Sequence, residues 1–61
     1  MEKEILYTII KEQTVSIPFL QRRFNLSYKD ANYTIKSFER LGIIEKADGS
    51  KPRIINYKLN T

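Results

Sequence analysis

Apolar residues recur at helical spacing in three segments of the chain and alternate with polar residues in a fourth. The helical pattern predicts helices at 2–13, 18–24 and 28–41, and the alternation predicts a strand at 53–59. In each helix the apolar residues fall on one side, as expected for elements that pack around a shared core. The side chains predicted to face that core are Ile5, Leu6, Ile9, Ile10, Ile17, Leu20, Phe24, Tyr28, Ala31, Ile35 and Phe38.

The residues between these segments are typical of helix ends. Ser16 is a good N-cap for the second helix, and Pro18 fits its first turn, where a missing N–H costs nothing. Ser27, followed three residues later by Asp30, is typical of a capping box at the start of the third helix. Gly42 is of the residue type that commonly ends a helix. Two helices joined by a short turn indicate a helix-turn-helix motif.

The C-terminal third predicts a β-hairpin. Residues 47–53, ADGSKPR, combine Asp-Gly with a proline and predict a turn between the Ile43 and Ile44 pair and the alternating segment 53–59. Residues 1–61 are therefore predicted to form one domain of the α+β class, a small winged helix-turn-helix with three helices and a C-terminal two-stranded hairpin, the wing. The wing residues expected to cover the open side of the helices are Ile43, Ile55, Tyr57 and Leu59.

The composition argues against most catalytic chemistry. The 61 residues contain no cysteine and no histidine, and the seven acidic residues are dispersed. Thiolate and imidazole metal ligands are therefore missing, as is the commonest general base. We expect no enzyme activity, no metal or other cofactor and no small-molecule substrate. No stretch is long enough to span a membrane and no secretory signal is recognisable, so a cytoplasmic location without membrane contact is expected.

The distribution of positive charge indicates a polyanionic partner. The net charge is +4, and residues 1–13 contain more acids than lysines, so the positive excess lies outside the first helix. On the third helix, cations and an aromatic ring recur at spacings of four, three and four on the side opposite the core: Lys29, Tyr33, Lys36 and Arg40. An outer face with three cations, one aromatic ring and no acid fits the major groove of double-stranded DNA, although three cations on a helix also occur as an ordinary solvated face.

Other side chains are predicted to contact DNA around this helix. The full set of predicted contacts is Arg22, Arg23, Lys29, Asn32, Tyr33, Lys36, Arg40, Ser50, Lys51 and Arg53. Asn32 either pairs with an adenine edge or covers the side of the helix. Arg22 and Arg23 either lie along the DNA backbone, or at least one of them pairs with an acid such as Glu39 within the domain. The aromatic residues expected in or beside the core are Tyr7, Phe24, Tyr28, Phe38 and Tyr57.

Several strings within residues 15–53 resemble one protein family. They are SI and LQRRF around the second helix, ERLGII at the end of the third and ADGSKPR in the predicted turn. Together with Tyr28 and Ala31 at the start of the third helix, these strings closely resemble the C-terminal gamma domain of FtsK/SpoIIIE-type bacterial DNA translocases. The resemblance implies a winged helix that recognises short, oriented, G-rich chromosomal sequences, directs the translocase and touches a partner recombinase. It also implies that the third helix and the wing meet DNA.

Two departures from the family pattern change these expectations. The sequence has no phosphate-binding loop of the G-x-x-x-x-G-K-[ST] type, so no translocation is expected from these residues alone. We expect either an isolated domain or a stand-alone bacterial or phage relative, such as a small transcription regulator of a mobile element. The family's polar and arginine positions at the start of the third helix are Lys29, Asp30 and Tyr33 in this sequence, which predicts a different or relaxed sequence preference.

A protein-interaction winged helix is the main alternative function. Phe19, expected to be partly exposed, or the first helix would then bind a host recombinase, polymerase or replication protein. Salt distinguishes the two functions, because DNA binding releases counterions and weakens steeply as salt rises, whereas an apolar protein contact does not. A single module offers a small DNA interface, so useful affinity is expected from several copies on one site or from tethering.

Overall fold

Three α-helices form the regular secondary structure of the residues that the computed structural model describes, 2–47, 49 and 52–59. The helices are α1 (Glu2–Glu12), α2 (Ile17–Phe24) and α3 (Tyr28–Arg40). The prediction of three helices is confirmed, and each end lies within one residue of its predicted position. α2 and α3 pack against each other. None of the described helices has the length and apolar character needed to cross a membrane.

Serine caps fix the starts of α2 and α3. The Ser16 hydroxyl accepts a hydrogen bond from the Phe19 backbone N–H at 3.1 Å. The Ser27 hydroxyl accepts one from the Asp30 backbone N–H, also at 3.1 Å. Each bond satisfies a donor that a helix leaves unpaired in its first turn. Pro18 lies in the first turn of α2, as predicted, so both helix starts follow from local signals in the sequence.

The backbone turns sharply at the ends of α2 and α3. Asn25 ends α2 in the left-handed region, with φ 56°, which asparagine tolerates better than most residues. At the end of α3, the Gly42 N–H donates to the Glu39 carbonyl at 3.1 Å. The next residue, Ile43, donates its N–H to the Phe38 carbonyl at 2.9 Å. These two bonds form a Schellman motif, which needs the positive φ of 77° found at Gly42.

The core lies between the three helices and the described residues 43–47 and 52–59, which we call the C-terminal segment. The four largest fully buried side chains come one from each helix and one from this segment: Ile9, Leu20, Ile35 and Ile44. The polar side chain of Thr34 is buried beside them, and its hydroxyl donates to a backbone carbonyl one turn earlier in α3, at 2.9 Å. The other buried apolar residues are Ile5, Val15, Ala31, Phe38 and Ile55. The C-terminal segment is therefore part of the core.

The predicted hairpin wing is wrong for the described residues, which contain no β-strand, so the fold is all-helical rather than α+β. A single antiparallel bridge pairs Ile44 with Ile55. One backbone hydrogen bond beside it runs from the Glu45 N–H to the Ile54 carbonyl, at 2.9 Å. The other runs from the N–H of residue 56 to the carbonyl of residue 43, also at 2.9 Å. The two halves of the C-terminal segment therefore meet without forming a ladder.

Different features limit the pairing on the two sides of the bridge. On one side Gly42 still belongs to the Schellman motif of α3, so no extended residue precedes Ile43. On the other side, within the described structure, no bond from the Ile54 N–H to the Glu45 carbonyl continues the ladder, and that carbonyl accepts from the Arg53 guanidinium instead. Further along, Pro52 has no N–H to donate. Residues 48, 50 and 51 of the predicted turn at 47–53 lie outside the described residues. A turn signature and β-branched residues were therefore not sufficient to make strands here.

The prediction that Tyr7, Tyr28 and Tyr57 lie in or beside the core is also wrong. These residues are 54%, 64% and 54% exposed, respectively. Tyr28 is the first residue of α3, and helical side chains lean toward the N-terminus, so its ring extends past the end of the core. Tyr57 and Leu59 lie beyond the single bridge, where no strand imposes an inward and outward alternation, and both are exposed.

Side-chain hydrogen bonds hold the C-terminal segment in place of a ladder. The Gln13 amide donates to the Tyr57 carbonyl at 2.8 Å, which ties the segment to the residue after α1. The Asn56 amide donates to the Gly42 carbonyl at 2.8 Å and to the Glu45 carboxylate at 2.7 Å. These bonds join positions that are far apart in the sequence, in contrast to the caps of the helices.

Candidate nucleic-acid interface

Exposed side chains follow the outer side of α3 at the spacing predicted from the sequence. We call these four residues the basic stripe: Lys29, Tyr33, Lys36 and Arg40. The buried residues of the same helix are Ala31, Thr34, Ile35 and Phe38. Because an α-helix has 3.6 residues per turn, the two sets lie on opposite sides of α3. Burial of one side therefore fixes the direction in which the basic stripe points.

The charges of the basic stripe are not neutralised within the described part of the chain. No ion pair there joins Lys29, Lys36 or Arg40 to an acid. Glu39, an acid of the same helix, is held by Arg53 of the C-terminal segment. The stripe thus presents three cations and an aromatic ring to solvent, a combination suited to a polyanion with π-faces and apolar groups.

α2 adds two exposed arginines to the described surface. The Arg23 guanidinium lies 2.8 Å from the Glu12 carboxylate of α1 in a pair that is substantially exposed. One arginine of α2 therefore does pair with an acid, although the partner is Glu12 rather than the suggested Glu39. Arg22 forms no ion pair with the described residues. Phe19, partly exposed as predicted, lines a shallow depression with both arginines.

Arg53, predicted to contact DNA, is held within the fold. Its guanidinium forms an ion pair with the Glu39 carboxylate and donates to the Glu45 carbonyl at 3.0 Å. Both side chains of the pair are only 20% exposed. This contact ties the C-terminal segment to the last turn of α3. Ser50 and Lys51, also predicted to contact DNA, lie outside the described residues.

The start of α3 exposes an aromatic residue that the sequence analysis assigned to the core. Tyr28 is 64% exposed and lies one turn before the partly exposed Asn32, so the two are neighbours on the helix surface. Tyr33, which belongs to the basic stripe, is 65% exposed. The sequence does contain a signal for this exposure, because Tyr28 directly follows the N-cap Ser27 and a side chain at that position leans away from the helix. The exposed surface at the start of α3 is therefore wider and more aromatic than predicted.

An apolar depression lies between α1 and the C-terminal segment. Its lining residues are Leu6, Ile10, Leu41, Ile43 and Tyr57. Leu41 is 68% exposed, and the lining contains no charged residue, so this surface differs in chemistry from the basic stripe. Among the described residues, no group of three or more His, Cys, Asp or Glu side chains could hold a metal ion.

The surface residues described above all lie within the part of the chain that matches one protein family. The family model described as the Ftsk gamma domain matches residues 1–58. The chain is similar to the DNA translocase FtsK of Listeria monocytogenes, with 33% identity over 57 residues, which are 93% of this chain and 8% of that protein. It is 34% identical over 58 residues to the DNA translocase FtsK of Chlorobaculum tepidum, covering 95% of this chain and 7% of that protein. The DNA translocase SpoIIIE of Bacillus subtilis is 40% identical over 50 residues, 82% of this chain and 6% of that protein.

The chain thus spans less than a tenth of the length of these curated relatives. No solved structure gives a significant match. The expected resemblance is confirmed, and the match extends beyond residues 15–53 to include α1.

Proposed function

The chain belongs to the FtsK gamma domain family, and we propose that it is a non-catalytic module that binds double-stranded DNA with α3 in the major groove. The observation that supports this proposal is the basic stripe, in which three cations and a tyrosine are exposed on one side of a helix whose other side is buried. The relatives are named as DNA translocases, which agrees with a DNA partner. Their activity as whole proteins is a property of chains more than ten times longer.

The length of α3 limits how much of it meets base edges. Its 13 residues span about 20 Å, whereas the major groove is about 12 Å wide. In this proposal Lys29 and Tyr33, near the start of the helix, reach the base edges. Arg40 lies three turns later than Lys29 and contacts phosphate. Lys36 lies between the start of the helix, which meets base edges, and the end, which meets phosphate.

The arginines of α2 contact the phosphate backbone in this proposal. Arg22 is exposed and forms no ion pair in the described structure, so it can meet a phosphate directly. Arg23 must exchange Glu12 for a phosphate, which costs little because the pair is largely solvated. Ser50 and Lys51 stay predicted contacts from the sequence. For Arg53, bound to an acid of α3, we propose a positioning role.

The process that this module serves is a separate proposal. Because the family members are DNA translocases, we propose that the module recognises DNA on behalf of such a machine, several copies or a tether supplying the affinity that one small interface lacks. A stand-alone role in a phage or mobile element, as a transcription regulator, would use the same surface. Salt-dependent binding is expected in either setting.

Binding of a protein partner such as a recombinase is the competing function, and the apolar depression favours it. Leu41 is apolar and Tyr57 is largely apolar, yet both side chains are exposed at this depression. A contact made through this depression would be insensitive to salt and to the loss of cations on α3. The two functions therefore predict different responses to the same measurements.

A salt titration with matched double variants tests the DNA proposal. Binding of the chain to a mixed-sequence duplex is measured at several salt concentrations, together with Lys29→Ala/Lys36→Ala. The control Lys3→Ala/Lys11→Ala removes the same charge from α1. We expect the stripe variant to bind more weakly and to have a salt slope shallower by about 1.8, because each neutralised phosphate contributes about 0.9. The control is expected to keep a slope close to that of the unmodified chain.

Two results would contradict the proposal. Absence of duplex binding at low salt, even at high protein concentration, would exclude the module as a DNA binder by itself. Equal losses in the stripe and control variants would show that total charge, and not α3, determines binding.

A further inference from the structure

We propose that Tyr28 and Asn32 form a recognition pair for A·T base pairs, with Asn32 binding an adenine and Tyr28 packing against the methyl group of a thymine. This inference rests on the proposed function, since it needs α3 in the major groove. It adds a chemical class of target site, namely duplexes that contain at least one A·T pair at a fixed position. It also adds Tyr28 to the DNA-contacting residues.

The exposure of Tyr28 changes the position of Asn32 on the recognition surface. With Tyr28 in the core, Asn32 would lie at the edge of the exposed face. Tyr28 is instead 64% exposed, and it lies one turn before Asn32 on the same side of α3. Lys29 and Tyr33, also one turn apart, lie on the other side of Asn32. The amide therefore has exposed residues on both sides, Tyr28 on one and Lys29 with Tyr33 on the other.

The chemistry of Asn32 fits an adenine edge. Its side-chain amide has both a donor and an acceptor, which match the N7 acceptor and the N6 donor that adenine presents in the major groove. Within the described structure this amide makes no hydrogen bond to another residue, unlike the amides of Gln13 and Asn56. Asn32 is partly buried, so its position is restricted while its polar atoms stay available.

The chemistry of Tyr28 fits a thymine. The C5-methyl group of thymine is the apolar group that the major groove presents, and aromatic side chains pack on it. An exposed ring one turn from Asn32 reaches a base pair adjacent to the adenine. The first three turns of α3 contain no arginine, which is the side chain most often paired with guanine. Lysine also binds guanine, so Lys29 leaves room for G·C pairs beside the A·T pair.

Selection from a random duplex library, followed by base analogues, tests this pair. The preferred site of the unmodified chain is determined first. Its adenine is then replaced by 7-deazaadenine, which lacks the N7 acceptor, and its thymine by deoxyuridine, which lacks the methyl group. We expect the unmodified chain to lose about fivefold in affinity with the first analogue and about threefold with the second.

Variants assign each loss to a side chain. Asn32→Ala is expected to abolish the response to 7-deazaadenine, and Tyr28→Ala the response to deoxyuridine, while Tyr28→Phe keeps the latter because the ring is retained. Tyr7→Ala, which removes another exposed tyrosine, from α1, is the control and should leave both responses unchanged. Both tested positions are exposed or partly exposed, so the variants are expected to fold, and circular dichroism checks this.

The outcomes separate this inference from the proposed function. Salt-dependent binding to a site of G·C pairs only, or without sequence preference, would overturn the inference and leave the DNA proposal intact. Responses to the analogues that persist in Asn32→Ala and Tyr28→Ala would also overturn it. Absence of binding to any duplex would overturn both.

Discussion

The helix pair α2–α3 and the C-terminal segment contribute to the same core but are held by different kinds of interaction. α2 and α3 begin at serine caps and end at left-handed residues, all within a few positions of the helix they bound. The C-terminal segment depends on one bridge and on side-chain bonds to α3 and to the end of α1. Local signals thus place the proposed recognition helix, and long-range contacts place the segment beside it.

This difference has a functional consequence. The direction of the basic stripe depends on the burial of the opposite side of α3, where Ile35 and Phe38 contact the core. The C-terminal segment contributes Ile44 and Ile55 to that core without exposing a predicted DNA contact among its described residues other than the held Arg53. We therefore expect the segment to matter for stability more than for the chemistry of DNA recognition.

The largest effect is expected from Ile35→Ala, which removes side-chain atoms from the core that both regions share. Ile35 is nearly fully buried, and replacing a buried isoleucine by alanine costs about 2–5 kcal/mol. A domain of 61 residues has little stability to lose, so both regions should unfold together. Chemical denaturation followed by circular dichroism measures the loss. The matched control is Ile54→Ala, at an exposed position, for which we expect a change below about 0.5 kcal/mol. Equal effects of the two variants would be incompatible with the described core.

A smaller effect, confined to one region, is expected from Arg53→Ala. The variant loses the ion pair with Glu39 and the bond to the Glu45 carbonyl, and it leaves a largely buried carboxylate without its partner. We expect a loss of about 1–2 kcal/mol in the free energy of unfolding. Hydrogen exchange should accelerate at the amides of residues 45 and 56 and change little in the middle of α3.

Arg23→Ala is the control for that variant, because it breaks an ion pair that is largely solvated. Its cost should be below about 0.5 kcal/mol. If Arg53→Ala proved as harmless as Arg23→Ala, the C-terminal segment would not depend on this contact, and the contrast between the two regions would be lost.

The smallest effect is expected from Ser27→Ala, which removes the local signal at the start of α3. Loss of an N-cap hydrogen bond costs about 1 kcal/mol. Ser37→Ala, inside the same helix, serves as the control and should be neutral or slightly stabilising, since alanine favours helix. Thermal unfolding compares the two. A neutral Ser27→Ala would mean that packing alone sets where α3 begins.

The sequence predicted those parts of the fold whose causes lie within a few residues. Ser16, Ser27 and Gly42 gave the helix limits because capping is a local interaction. The hairpin was predicted from equally local signals, but strand pairing needs both partners to stay extended and to donate. Gly42 belongs to the turn that ends α3, and the Glu45 carbonyl is bound by Arg53 rather than by the facing backbone. Helical periodicity also assigned Tyr28 to the core. Periodicity tells which side of a helix faces the core, but it does not tell where along the helix axis the core ends.

The candidate site was predicted in part for the same reason. Lys29, Tyr33, Lys36 and Arg40 share an exposed side because helical periodicity alone decides it. Pairing between distant residues has no comparable signature in one sequence. Glu39 was therefore suggested as one possible partner for an arginine of α2, whereas it pairs with Arg53. Helical periodicity predicts which side chains are exposed, but it carries no information about the partner that they bind.

Mapping the DNA-contacting surface by NMR tests the central claim most directly. Backbone amide shifts of the isotope-labelled chain are followed while a short mixed-sequence duplex is added at low salt. We predict that the largest changes occur at Lys29, Asn32, Tyr33 and Lys36 on α3, with smaller ones at Arg22, and that Leu6 and Ile10 of the apolar depression change little. Changes centred on Leu6, Ile10 and Leu41, with the basic stripe unaffected, would contradict the account.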